Sequence, residues 1–459
     1  MITIAGLNLE VKHLPELDKK MLPLAPFFYY IHNNGQADYA VAVERSGGLV
    51  SVFRTRLLDG ERAFAANCLY VERLVKFLLW AIGGFRVFLC GDEKVSQYVK
   101  NAYLPGGTRK FDSDFMQKIY EHPFEVVCLG YDQCPEKNEA SKPIGGHFDG
   151  CRIGFDAGGS DRKVSAVIDG KSIFSEEVIW FPKEKSDPSY HFNGIVESLK
   201  TAASKMPKVD AIGVSSAGIY LENQTRAASL FLKVPEDLFN ESVKDIYIRA
   251  AAEIGKDIPL QVANDGDVTA LAGAMGIEDG AVLGVAMGTS QAGGYIDSDG
   301  NVTGWLNEFA FAPVDASPEA MADEWSGDTG CGVKYFSQDA VIKLAPAAGI
   351  ELIGHSPAEK LVEVQELMKK GDERAAAIYR SIGVYFGHAL AQYAMFYDIR
   401  HVLVLGRVLS GAGGDILLSQ ANSVLAAEYP QCSFVAKAPD EKARRVGQSV
   451  AAASLPEVL

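Results

Sequence analysis

The 459-residue chain has no C-x-x-C pair. Its seven cysteines, Cys68, Cys90, Cys128, Cys134, Cys151, Cys331 and Cys432, are dispersed and odd in number. No disulfide framework is expected, and free, mostly buried thiols in a reducing cytoplasm are the simplest reading. Basic charge is also short. Lys and Arg total 44 against 59 Asp and Glu, a net charge of −15, which argues against a nucleic-acid surface. Long apolar runs are missing. Stretches such as Leu74 to Ile82 are broken by charge and too short to span a bilayer. Met1 to Gly6 lacks the basic region and following apolar stretch of a signal peptide. No repeat or low-complexity segment stands out. The eight histidines are scattered, and His388, in a long helical pattern, reads as a packed residue rather than a metal ligand.

What remains is an ordinary globular composition, 48% hydrophobic and 22% charged. The chain is long enough for two or three domains. Chemistry is concentrated where apolar strands deliver polar or glycine-rich residues. Ile153 to Asp156 is a strand ending in an acid, followed by Ala157-Gly158-Gly159-Ser160 and a returning strand, Val164 to Ile168. Without a Cβ, Gly158 and Gly159 let backbone N–H groups approach an anion. Asp156 is placed to offer magnesium an oxygen. The competing reading is a plain hairpin turn with no ligand, with Arg162 and Lys163 as solvated hairpin charges. Leu260 to Asn264 ends in Asn264-Asp265-Gly266-Asp267 before a small-residue helix. Asp265 is either a general base at a helix start or the N-cap of that helix. Val282 to Met287 ends in Gly288-Thr289-Ser290-Gln291, and His401 to Leu405 ends in the glycine-rich stretch Gly406 to Gly414.

The order of these segments resembles the actin-like ATPase superfamily, and in detail the ROK family of bacterial sugar kinases and repressors, over about residues 151 to 455. The resemblance implies an α/β fold with two actin-like, ribonuclease H-like lobes and a nucleotide cleft. It also implies ATP and magnesium as cofactors and a homodimer. In its terms, Asp156, Gly158, Gly159 and Ser160 form the first phosphate loop. Gly288 and Thr289 open the second, and Gly406 and Gly413 belong to the adenosine segment. Asp265 is the catalytic base. Asn264, Gly218 in Gly213-Val214-Ser215-Ser216-Ala217-Gly218, and Glu308 lie at the sugar.

The departures matter as much. In Asn307-Glu308-Phe309-Ala310-Phe311, Phe311 stands where the family often has a histidine. The zinc segment Cys-x-Cys-Gly-x-x-Gly-Cys is reduced to Cys331, and Val333 stands where a second sugar-binding glutamate is expected. Zinc needs about four N or S ligands, so none is expected. Gln291 stands where the second phosphate loop usually has glycine.

Residues 1–132 are expected to form an N-terminal α+β accessory domain, with a degenerate half of an actin-like lobe as the alternative. Residues 133–150 are expected to be a linker, 151–270 a first lobe, and 271–459 a second lobe whose final helix, 440–453, returns to the first. The function expected is ATP-dependent phosphoryl transfer to a hydroxyl of a sugar-like substrate. The alternatives are a non-catalytic nucleotide- or sugar-sensing regulator and an ATPase acting on another substrate.

Overall fold

Strands in the N-terminal third follow its β-branched and aromatic runs. The computed structural model describes residues 1–139, 144–439 and 447–458. Ala37–Arg45 (β1) and Leu49–Leu57 (β2) pair antiparallel about Ser46–Gly48, where Gly47 takes a φ of 73°. Arg86–Cys90 (β3) lies antiparallel to β1, and Glu125–Leu129 (β4) parallel to β3, giving the sheet order β2-β1-β3-β4. The apolar helix Phe64–Ala81 is buried along almost its whole length.

A second sheet is built from Cys151–Ala157 (β5), Asp161–Ile168 (β6), Lys171–Ile179 (β7), Ala211–Ser216 (β8) and Leu260–Asn264 (β9). Its order is β9-β8-β5-β6-β7. The first three run parallel and the β5–β6–β7 meander antiparallel. All seven residues of the central β5 are buried. Two glycines let the sheet meet the final helix closely. Gly154 and Gly213 are register partners in β5 and β8. A Cβ on either would collide with backbone carbonyls of the final helix, Gln448–Ala453. The alanines of that helix and the two bare strand positions form one close-packed contact. The expected helix residues 440–446 lie outside the described residues.

A third sheet contains Val282–Met287 (β10), Gln291–Ile296 (β11), His401–Leu405 (β12) and Ala436–Lys437 (β13) in the order β11-β10-β12-β13. That order repeats β6-β5-β8-β9 of the second sheet: a hairpin strand, the first strand, then two crossover strands. The N-terminal sheet does not repeat it. Its β3 is antiparallel to β1, whereas β8 is parallel to β5, so residues 37–129 are not a degenerate copy of an actin-like half.

The chain divides into two compact units. One contains Met1–Ala140, Val285–Ala292 and Trp305–Ala438; the other contains Ser141–Gly284, Gly293–Gly304 and Pro439–Leu459. This differs from the expected boundaries, because the N-terminal segment groups with the later part of the chain. Buried ion pairs give the physical reason. Lys76 is fully enclosed and pairs with Asp112 at 2.8 Å and Asp328 at 3.1 Å. Arg109 reaches Asp328 at 2.6 Å, Arg73 reaches it at 3.5 Å, and both bond Glu72. The helices Phe64–Ala81 and Lys110–Tyr120 are thus tied to the loop before Cys331. In the same unit the helices Glu373–Tyr393 and Ala412–Glu428 approach closely at Gly383 and Gly387, where a Cβ would lie 2.6 Å from Gln420 and Val424. Of the expected linker, residues 140–143 lie outside the described residues.

Candidate functional site

Parallel strands leave their carboxyl ends at one edge, and in open α/β sheets ligands bind beyond that edge. Here β5, β8 and β9 are in register there: Asp156 lies opposite Ser215, and Ser216 opposite Asn264. The Ser215 hydroxyl donates to Asp156 Oδ1 at 2.9 Å. Burial pushes the Asp156 carboxyl up to about 6, and the nearby Asp265 charge adds to the rise while Ser215 opposes it.

Asn264 is the N-cap of the helix Asp265–Ile277. Its Oδ1 accepts from the Gly266 N–H at 2.7 Å, and its Nδ2 donates to the Gly218 carbonyl at 2.7 Å. The capping role open to Asp265 in the sequence therefore belongs to its neighbour, and Asp265 is the first helical residue. Burial raises its pKa; the Gly266 N–H, its own backbone N–H and the Lys183 charge oppose the rise. Asp267 is buried and accepts from the Tyr295 N–H at 3.1 Å, a structural bond that fixes strand β11. The start of the final helix also reaches this place, with Gln448 Nε2 donating to Thr269 Oγ1 at 2.6 Å and to the Asp265 carbonyl at 3.3 Å.

The first glycine turn is held from outside. Trp180 Nε1 donates to the Gly158 carbonyl at 2.8 Å, and the Trp180 N–H donates to the Ser160 carbonyl at 3.1 Å. A Cβ on Gly158 would lie 2.7 Å from the Asp161 carbonyl oxygen, so the turn needs glycine for its own packing. At Gly159 the space is taken only by the end of the Lys183 side chain, 3.1–3.2 Å away.

Gly288, Thr289, Gly406, Gly413 and Glu308 belong to the other unit. The Gly288 N–H donates to the Ser290 carbonyl at 2.9 Å, and the Gly288 carbonyl accepts from the Gln338 N–H at 2.9 Å. Arg407 Nη2 donates to Thr289 Oγ1 at 2.6 Å, which links this turn to the Gly406 segment. Gly406 has a φ of 110° and lies against the Met287 backbone, while a Cβ on Gly413 would collide with the Tyr379 ring. Gln291 is buried and its amide nitrogen faces the carbonyls of Phe309 and Gly332 at 3.2 and 3.3 Å. The residue that interrupts the glycine pattern therefore points into the core and leaves the Gly288–Ser290 turn clear. The Glu308 N–H bonds the Trp80 carbonyl at 2.9 Å. Phe311 packs on Trp80 and Trp325, with ring centroids 4.6 and 4.8 Å away. Cys331 is fully buried, its thiol pushed up to about 12 by burial, with Asp328 Oδ2 3.8 Å from its sulfur.

No family model and no curated protein matches the sequence. Solved structures do match. The ROK hexokinase from Thermus thermophilus superposes with a TM-score of 0.51 at 20% identity, covering 66% of this chain and 97% of that one. The fold is that of a ROK hexokinase. The ROK-like part is two thirds of the chain, and this protein is correspondingly longer than that hexokinase. A ROK family glucokinase from Streptomyces griseus, solved with glucose and AMPPNP, covers 67% of this chain at 20% identity and 99% of its own length, with a TM-score of 0.46. A ROK family transcriptional regulator, a homolog of the E. coli MLC protein, covers 66% of this chain at 16% identity and 77% of its own length, with a TM-score of 0.48. Among the described residues no helix is long and apolar enough to cross a membrane.

Sequence reasoning missed Ser215, Lys183, Trp180 and Arg407. Ser215 was legible as the last-but-one residue of a strand running parallel to β5. The other three carry no local signal, because each acts on a loop distant in sequence.

Proposed function

We propose that this chain is an ATP-dependent kinase that phosphorylates a hydroxyl of a sugar or sugar-like substrate. The observation that carries the reading is the meeting of Asp156, Ser215, Asn264 and Asp265 at one sheet edge, beside a glycine turn held by Trp180. In phosphoryl transfer the protein mainly positions the reactants and neutralises charge. Asp265 takes the proton of the acceptor hydroxyl. The acceptor oxygen bonds to the γ-phosphorus, the bond from that phosphorus to the β,γ-bridging oxygen breaks, and ADP leaves with that oxygen. The raised pKa of Asp265 suits a base working near neutrality. Magnesium is usually held by one or two carboxylates together with waters and phosphates. Asp156 fits it, since burial and the neighbouring Asp265 disfavour its charge and a cation would offset both. Bound there, the ion would neutralise phosphate charge.

In this reading the Gly158–Ser160 turn cradles phosphate; in the other unit, Gly288 and Thr289 keep the phosphate role, and Gly406 and Gly413 the adenosine role, that the ROK resemblance implies. Gly218 and Asn264 border the acceptor, and Glu308 of the other unit keeps the sugar role that the resemblance implies. A coupled ADP-release assay over a panel of sugars and polyols tests this. Acceptor-dependent ADP release is expected with at least one of them. Release independent of any acceptor would make the protein an ATPase, and no release in a nucleotide-binding protein would make it a sensor.

A further inference from the structure

We propose that Lys183 is a catalytic residue that holds the transferred phosphoryl group, a role that rests on the phosphoryl-transfer reading and adds a cation to it. The resemblance that identifies the glycine turns assigns nothing to this lysine. It sits in the short turn Pro182–Glu184 after β7, exposed at the surface.

Three observations place it. First, its Nζ and Cε lie 3.2 and 3.1 Å from the point where Gly159 would carry a Cβ. The ammonium therefore stands over the one part of the turn whose space is not filled by the turn itself. A phosphate oxygen approaching the turn at Gly159 comes within reach of Nζ. Second, its charge reaches the base as well: among the described residues, Lys183 is the cation that opposes the burial-driven rise in the Asp265 pKa. The space between Gly159 and Asp265 is where the γ-phosphoryl must pass in the proposed reaction.

Third, the backbone that carries Lys183 is fixed on both sides. Trp180 bonds the carbonyls of Gly158 and Ser160. The Pro182 carbonyl lies 2.9 Å from Nε2 of the fully buried His191, which also lies 3.2 Å from the Leu230 carbonyl. Among the described residues no ion pair holds Nζ, so the side chain is available to an anion. A lysine is a compact point charge with three donors, well suited to phosphate. It takes no part in bond making; it neutralises charge on the phosphoryl oxygens as the bond to ADP breaks.

The test is titration calorimetry of the full chain with magnesium and either ADP or AMPPNP, for the parent, Lys183→Met and Lys183→Arg. A charge-assisted bond to the γ-phosphate predicts that Lys183→Met loses about 10- to 100-fold in AMPPNP affinity. ADP affinity should stay within about twofold, since the γ-phosphate is absent. Lys183→Arg should recover most of the AMPPNP loss. Equal ADP and AMPPNP affinities in Lys183→Met and parent, or equal losses of both, would overturn the role of Lys183 and leave the kinase reading standing. Failure of the parent to bind either nucleotide would instead overturn the kinase reading, and this inference with it.

Discussion

Gly154 lies with its Cα against the Ser449 carbonyl, so that a side chain at 154 has no room without displacing the final helix. The contact joins the central strand β5, whose end carries Asp156, to the helix whose Gln448 bonds the Asp265 carbonyl. Gly154→Ala should destabilise the protein by about 3 kcal/mol or more, since backbone rather than a mobile side chain must move. Gly159→Ala meets only the end of Lys183 and should leave the denaturation midpoint nearly unchanged. Equal midpoints for parent and Gly154→Ala in urea would contradict the packing described.

Asp265→Asn is the sharpest variant for the chemistry. Because Asn264 provides the cap, the substitution leaves the helix start intact. Turnover should fall about 10²–10⁴-fold, the usual worth of a general base, with ATP affinity near the parent value and a melting temperature at or above it at pH 7, because the buried Asp265 charge costs stability there. Near-parent turnover would remove Asp265 from the base role.

How much of this was legible in the sequence depends on the range over which each feature acts. The strands that deliver Asp156 and Asn264, the hairpin at Ser46–Gly48 and the helix with Gly383 and Gly387 follow from local pattern. The assignment of capping to Asn264 rather than Asp265 does not, because two adjacent capping-competent residues differ only in backbone position. Nor could the sequence show that Gly213 serves helix packing, or that Gln291 faces inward. Both depend on residues more than a hundred positions away or on strand phase. The grouping of the N-terminal segment with the later part of the chain was not legible either, because nothing local to Lys76, Asp112 or Arg73 marks them as buried partners.

Asp156 makes stability depend on pH in an unusual direction. Its folded pKa of about 6 lies above the ordinary value of 3.8. It therefore contributes stability below about pH 4, which is lost as pH rises through about 6. Asp156→Asn should melt above the parent at pH 7, by at most about 3 kcal/mol in the absence of magnesium. The difference should vanish below about pH 4. Thermal melts from pH 4 to 8 read this directly, and a constant difference across the range would refute it.

Zinc should be absent from the protein. The single remaining cysteine of the segment is enclosed, and its raised pKa withholds the thiolate that a metal needs. Metal analysis of chelator-washed protein is expected to find well under one zinc per chain; a full equivalent would be decisive against this.

Lys76→Met should cost about 3–5 kcal/mol, because it leaves the buried Asp112 without its cation, while Asp328 keeps Arg73 and Arg109. Chemical denaturation measures the loss. A stability equal to the parent would mean that the cluster adapts without Lys76.

The same cluster determines how the chain can be divided. Asp328 draws its cations from Arg73, Lys76 and Arg109, more than two hundred positions earlier. A shortened chain beginning near residue 150, cut to the length of an ordinary ROK kinase, would keep the acid and lose every one of those partners. The extra third of the protein is therefore no detachable appendage. The ROK-fold remainder is expected to be insoluble or misfolded when expressed without it, and the two pieces supplied together from separate genes offer the better chance of recovering a folded protein.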